Sequence, residues 1–152
     1  MARQTAEARG VTLLVVHLAL TAAYAGFQGT VRFLVYPQFA QVPADAFAAY
    51  ERSHQRLVTR VVGPLFAGEG VTTLLLLALR PAGVPLLPVL AGAACLAAVL
   101  GVTAFLAVPL HRRLDAGWDP AAHRRLLRVD GFRVVAATVG TACAVWALLA
   151  VG

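Results

Sequence analysis

Four apolar runs divide this chain of 152 residues, and each is long enough to cross a bilayer as a helix. A transmembrane helix needs about 20 residues, because every backbone N–H and C=O must be paired inside the hydrocarbon. The runs predict helices over residues 11–39, 44–79, 84–110 and 120–150. At 1.5 Å per residue the second helix would be roughly 50 Å long, so we expect its first turns to protrude partly. We therefore predict an all-α, four-transmembrane-helix up-down bundle that forms a single integral membrane domain over residues 1–152.

The composition agrees with a membrane protein. Hydrophobic residues make up 60% of the chain and charged residues 13%, whereas a soluble domain carries about 25% charged residues. The net charge of +6 comes from arginine alone, since the sequence has no lysine. In such a chain basic residues orient the protein and contact anionic lipid. We expect the lipid bilayer as a partner and no nucleic acid, because no separate basic domain is present.

The arginines are distributed unevenly between the two ends of the predicted bundle. One end holds both termini and three arginines: Arg3, Arg9 and Arg80. The other end holds eight arginines: Arg52, Arg56, Arg60, Arg112, Arg113, Arg124, Arg125 and Arg128. Arginine-rich loops stay in the cytoplasm during insertion. The sequence thus predicts a multi-pass cell-membrane protein with the arginine-rich loops in the cytoplasm and both termini outside.

Polar residues also continue into the apolar runs. The stretch HRRLDAGWDPAAHRRLLRVDGFR carries its last charges, Asp130 and Arg133, directly into the fourth run. In the first run, polar residues recur every three or four positions, on one helical face: His17, Thr21, Tyr24, Gln28, Arg32 and Tyr36. A face of this kind is expected to point into the bundle. Ionisable residues inside a membrane segment indicate a functional site.

Depths estimated along the helices place these polar residues at similar distances from the membrane surface. Counted from the arginine-rich end, the deep ones lie between roughly 10 and 18 Å into the membrane. An unpaired charge at that depth costs several kcal/mol, so we expect Glu69 to pair with Arg133 and Asp130 with Arg32. We assign acid–base roles to His54, His111, His123, Glu69 and Asp130. We assign substrate binding to Gln28, Arg32, Tyr36, Tyr50 and Arg133.

Two explanations of this polar set remain open. Buried ion pairs can simply fix the register between helices. Alternatively, the residues line a cavity, and a mixture of histidine, tyrosine and carboxylate suits proton transfer near neutral pH. The number and variety of the groups favour a cavity that binds or transforms a lipophilic small molecule.

A metal site is a further hypothesis. Glu51 and His54 have the Glu-x-x-His spacing of di-iron helical bundles, but the sequence has no second such pair. If a metal is present, we expect His54, His111 and His123 to bind it. The sequence leaves the cofactor unknown.

Three stretches resemble the anthrone oxygenase-like family of small four-helix membrane proteins. They are GFQGTVRFLVYPQFAQVPADAF, RLVTRVVGPLF, and VPLHRRL followed by DGFR, and together they cover about two-thirds of the chain. The chain departs from the family pattern at two positions, where His111 and Asp130 replace asparagines. Both changes add ionisable groups to the site.

The resemblance implies oxygenation of an anthrone to a quinone in secondary metabolism, often without a cofactor. Such a reaction needs a base, for which His54, His111 or His123 would serve, and a cation such as Arg32 or Arg133 for the developing anion. A cyclase or isomerase acting on a lipophilic, polycyclic metabolite would use the same acid–base set.

Two non-enzymatic functions remain as alternatives. A small transporter would exchange a proton at the intramembrane carboxylate of Glu69. A structural membrane subunit would use the polar residues only for packing. The sequence does not determine whether the protein is an enzyme or whether it forms a homo-oligomer.

Overall fold

Four long helices account for almost the whole chain. A computed structural model of the protein describes residues 2–151, and within them the side chains of all but residues 2, 3 and 6. The structure is 90% helical, has no strand among these residues, and contains four helices long and apolar enough to cross a membrane. The predicted all-α four-helix membrane bundle is therefore confirmed. Met1, Gly152 and the side chain of Arg3, which entered the prediction of sidedness, lie outside the described residues.

The first two helices meet at a short turn. Helix α1 is regular over Ala2–Thr30, forms a π-helical turn over Val31–Val35, and ends in short α and 3₁₀ turns at Gln41. It begins before the predicted residue 11, because the polar segment ahead of the apolar run is rich in good helix formers. Helix α2 is continuous over Ala44–Ala78.

Helix α3 is longer than predicted. It is regular over Leu86–Val102, forms a π-helical turn over Thr103–Ala107, and continues over Val108–Asp115, past the predicted end at residue 110. Pro109 does not stop it, because this proline lies in the first turn of the last segment. A proline lacks the N–H for the i−4 carbonyl, and the wider π turn ahead of it accommodates that loss.

Helix α4 spans Pro120–Leu149 and begins at the predicted cap. The Asp119 carboxylate accepts hydrogen bonds from the backbone N–H groups of Ala121 and Ala122, at 2.8 and 3.0 Å. The Ala122 N–H, with further help from the Ala121 N–H and the Arg113 guanidinium, holds the pKa of Asp119 below its ordinary value. The cap is therefore fully formed at neutral pH and weakens only as the pH falls through that lowered pKa.

The helices pack in a ring in which α4 contacts α1 and α3, and α1 contacts α2. Small residues bring α3 and α4 close together. A Cβ on Gly140 would lie 3.5 Å from the Cys95 Cβ, and one on Gly92 would lie 3.7 Å from the Cys143 Cβ. Helix α2 closes the ring by contacting both Leu86–Val102 and Val108–Asp115 of α3. The second of these segments covers the first turns of α2, so those turns do not stand free of the bundle.

The distribution of polarity is the reverse of that in a soluble protein. Glu51, Asp130 and Gln28 are fully buried, whereas Phe105 is 80% and Phe33 is 71% exposed. Apolar side chains on the outside are favourable only where the surroundings are lipid. The bundle therefore directs its polar groups inward, to the region described next.

Candidate functional site

Four buried polar side chains of α1 and α4 form an inner cluster: Tyr24, Gln28, Asp130 and Arg133. The Gln28 amide donates to Asp130 Oδ1 at 2.5 Å, and the Tyr24 hydroxyl donates to Gln28 Oε1 at 3.0 Å. The Arg133 guanidinium donates to Asp130 Oδ1 at 3.2 Å and to Gln28 Oε1 at 3.0 Å. The inner cluster thus joins α1 to α4 through charge-assisted hydrogen bonds.

The ion pair inside the bundle differs from the predicted pairs. Arg133 pairs with Asp130, three residues earlier on the same helix, and not with Glu69. Residues three apart on a helix share a face, whereas Glu69 lies on α2, which scarcely touches α4. Arg32 is half-buried beside Gly131, and its Nε has no hydrogen-bond partner among residues 2–151.

A second set of polar groups forms an outer chain that joins α1, α2 and α3: Tyr36, His111, Glu51, Gln55 and Asp115. His111 Nε2 lies 3.0 Å from the Tyr36 hydroxyl, and His111 Nδ1 lies 2.5 Å from Glu51 Oε1. The Gln55 amide donates to Glu51 Oε1 at 3.1 Å and to Asp115 Oδ1 at 2.7 Å. The outer chain leads from the buried Tyr36 toward the arginine-rich end of the bundle.

The partners of His111 determine where its protons lie. As a carboxylate Glu51 can only accept, so His111 Nδ1 donates its hydrogen to it. The other ring nitrogen, Nε2, is then an acceptor for the Tyr36 hydroxyl. Glu51 is fully buried, and its hydrogen bond with His111 Nδ1 holds the imidazole in one orientation. A hydroxyl, an imidazole and a buried carboxylate in this order can move a proton away from the hydroxyl.

His54 lies among aromatic rings beside the outer chain. Its ring is 4.9 Å from that of Phe39, 5.9 Å from that of Tyr36 and 6.0 Å from that of His111. Its buried Nε2 has no hydrogen-bond partner within the described part of the chain. The ring of Tyr50 stacks on that of His54, with the ring centroids 6.5 Å apart.

His123 is set apart from the other predicted histidines. Its Nε2 lies 2.8 Å from the main-chain oxygen of Tyr36. A carbonyl oxygen only accepts, so His123 donates this hydrogen, and its ring holds α4 against the end of α1. His123 therefore positions α4 against α1 and does not line the cleft described below.

A cleft of ≈ 130 Å³ opens between α2 and α3. Tyr36, His54, His111 and Arg133 bring polar groups to it from all four helices. Val58, Val62, Phe66, Ala107 and Val108 form its apolar walls. Arg133 therefore belongs both to the inner cluster and to the cleft, and Tyr36 and His111 connect the cleft to the outer chain.

Of the ten predicted site residues, four thus line the cleft: Tyr36, His54, His111 and Arg133. Gln28 and Asp130 lie behind Arg133 and hold it. The remaining four, Arg32, Tyr50, Glu69 and His123, are not part of the lining. Gln55 was missed, although its position four residues after Glu51 places both on one face of α2.

Glu69 lies in a different polar region, toward the other end of the bundle. It is buried, and its Oε2 has no hydrogen-bond partner among the described residues. The Thr72 hydroxyl donates to the Glu69 main-chain oxygen at 3.1 Å and lies 2.8 Å from His17 Nδ1. Glu69 is therefore separated from the outer chain by the inner cluster.

The histidines do not meet as metal ligands. Within residues 2–151 no three histidine, cysteine or acidic side chains are grouped so that they could hold a metal ion. The predicted set fails because His123 turns to a main-chain oxygen while His54 and His111 lie with their rings stacked. The cleft offers hydrogen-bonding and acid–base groups instead.

Comparisons with family models, curated proteins and solved structures find no match, so the chemistry of the cleft is the guide to function.

The inner cluster gives a direct prediction about stability. Asp130→Ala leaves the Arg133 charge buried without its partner, which is expected to destabilise the bundle by about 3–5 kcal/mol. Asp130→Asn keeps an oxygen that accepts hydrogen bonds and should lose less. Reversible unfolding in mixed detergent micelles measures both, and equal stability of the wild type and Asp130→Ala would contradict the ion pair.

Proposed function

We propose that the protein is a membrane-embedded enzyme that performs acid–base chemistry on a lipophilic small molecule. One observation supports this most: Tyr36, His111 and Glu51 are hydrogen-bonded in sequence, and the first two line the cleft. A purely structural clasp has no need for an ordered hydroxyl–imidazole–carboxylate chain beside an open volume.

The proposed proton transfer uses each member of this chain once. His111 Nε2 accepts the Tyr36 hydroxyl proton while the Tyr36 oxygen removes a proton from the bound molecule. The resulting imidazolium remains hydrogen-bonded to the Glu51 carboxylate, which stabilises its charge. The negative charge that develops on an oxygen of the substrate lies near the Arg133 guanidinium, which stabilises it by electrostatic attraction.

The same chain serves the two reaction types considered from the sequence. In an isomerisation or cyclisation the proton returns to another atom of the product. In the oxygenation that the family resemblance implies, molecular oxygen is the oxidant. Anthrone then loses two hydrogens from one carbon, gains a carbonyl oxygen there, and the second oxygen atom leaves as water. The identity of the reaction product distinguishes between these two reaction types.

Substitution of the imidazole tests the proposed proton transfer. We expect His111→Gln to lower turnover by about 10²–10⁴-fold, because glutamine forms hydrogen bonds but cannot accept the proton. Purified protein in liposomes would be incubated with anthrone and oxygen, and separately with a membrane lipid extract, and products detected by mass spectrometry. His17→Gln is the matched control, since His17 contacts Thr72, away from the cleft.

Full activity in His111→Gln and in Tyr36→Phe would contradict the proposed chain. An effect of equal size in His17→Gln would show that the loss comes from the fold instead.

A proton-coupled transporter is the second candidate function, and the buried Glu69 carboxylate supports it. Its Oε2 has no hydrogen-bond partner in residues 2–151, as expected for a group that binds and releases a proton. If this function is correct, Glu69→Gln should abolish a pH-driven flux of substrate in liposomes, while His111→Gln retains it. Absence of any pH-driven flux in the wild type would exclude transport of the substrates tested.

We also propose that the arginine-rich end faces the cytoplasm of a cell membrane. All eight arginines at this end are exposed, on three helices: Arg52, Arg56, Arg60, Arg112, Arg113, Arg124, Arg125 and Arg128. Ala116→Cys in the exposed α3–α4 turn should react with a membrane-impermeant maleimide in inverted vesicles and not in intact cells. Labelling in intact cells would reverse this orientation.

A further inference from the structure

Two side chains that line the cleft, Arg133 and His54, each carry a nitrogen without a hydrogen-bond partner in the described part of the chain. Arg133 is only 6% exposed, and its Nε has no partner among residues 2–151, although its terminal nitrogens bind Asp130 and Gln28. His54 Nε2 is likewise buried and without a partner within the described residues. Buried polar atoms of proteins are almost always hydrogen-bonded, so the protein itself does not fully satisfy the polar side chains beside this open volume.

The volume of the cleft limits the size of the ligand. At ≈ 130 Å³ it is close to an engineered cavity of about 150 Å³ that binds benzene. One six-membered ring therefore fills it, and a flat molecule of three fused rings does not enter as a whole. This size disagrees with the polycyclic substrate expected from the sequence.

The walls suit a ring with a polar edge. The side chains of Tyr36, His54 and Phe66 provide aromatic contacts, and Val58 and Ala107 provide aliphatic ones. The Arg133 guanidinium only donates hydrogen bonds, so a ligand beside it needs an acceptor. A carbonyl or hydroxyl oxygen on the ring supplies that acceptor.

The residues around the opening of the cleft indicate where the rest of the ligand would lie. The cleft opens between α2 and α3, whose outer faces carry exposed apolar residues on both sides: Val61, Phe105, Leu106 and Val108. In a bilayer these faces contact acyl chains. An alkyl chain attached to the bound ring can leave between α2 and α3 and remain in lipid, whereas a charged substituent there would lose its hydration.

We propose that the cleft binds the single ring of a lipid-tailed phenol or quinone, with a ring oxygen at the Arg133 guanidinium and the tail between α2 and α3. This inference rests on the proposed function, because it names the class of substrate for the same site. It replaces a polycyclic substrate by a one-ring amphiphile that reaches the cleft from within the bilayer.

Calorimetric titration of the protein in lipid nanodiscs tests the inference, with empty nanodiscs as the blank. The probes are 4-decylphenol, which has one ring and a tail, and anthrone, which has three rings and no tail. Each has one oxygen. We expect 4-decylphenol to bind at least about tenfold more tightly than anthrone, since only its ring fits the cleft.

Three variants locate the binding. Val58→Trp fills the cleft from a half-buried position and should weaken 4-decylphenol binding by about tenfold or more. Leu57→Trp is the matched control, because Leu57 is 54% exposed, outside the lining, and should leave binding unchanged. Arg133→Lys keeps a positive charge beside Asp130 but removes the planar guanidinium, and should also weaken binding by about tenfold.

The outcomes separate this inference from the proposed function. Anthrone binding as tightly as 4-decylphenol, with both weakened by Val58→Trp, overturns the one-ring ligand and leaves the enzyme proposal standing. Binding that Val58→Trp does not change overturns the inference as well, because the ligand then lies elsewhere. A failure of the proposed function appears differently, as tight binding of 4-decylphenol together with full turnover in His111→Gln.

Discussion

The Arg133 guanidinium lies where a lone charge would cost several kcal/mol, and the rest of the polar interior depends on how that cost is offset. Asp130 provides the opposite charge, and Gln28 hydrogen-bonds both partners from α1. The ion pair thereby fixes α1 against α4. Arg133 also lines the cleft, and its Nε has no hydrogen-bond partner among the described residues. The arrangement that stabilises the bundle thus also fixes a positively charged side chain beside the cleft.

The sequence predicts the fold well because hydrophobicity and helical period are local properties. The length of each apolar run predicts the length of a helix. The stripe of polar residues on α1 correctly places Gln28 and Tyr36 inside the bundle. Helix packing is not local, however. The expected pair of Glu69 with Arg133 is wrong because depth along the membrane says nothing about which helices are neighbours. Likewise, His54 and His123 look equivalent in the sequence, and only the position of the Tyr36 main-chain oxygen distinguishes them.

The two polar regions serve different purposes in this arrangement. The outer chain reaches from Tyr36 to Asp115, so its protons can exchange with the arginine-rich end. Glu69 lies beyond the inner cluster, beside Thr72 and His17. A chemical site needs only the first region, whereas a transport path needs both regions to communicate through the ion pair. The tight hydrogen bonding of Gln28, Asp130 and Arg133 between them favours chemistry over transport.

The π-helical turns explain how the helices deliver their side chains to the cleft. Residues eight apart on an α-helix differ by about 80° in direction, and one extra residue in a turn reduces this to about 20°. Gln28 and Tyr36 are eight apart across the turn in α1, and Val99 and Ala107 are eight apart across the turn in α3; all four are buried. Each turn ends two residues before a proline, Pro37 or Pro109. The prolines are the part of this pattern that the sequence shows, whereas the burial of residues eight apart becomes visible only in the folded bundle.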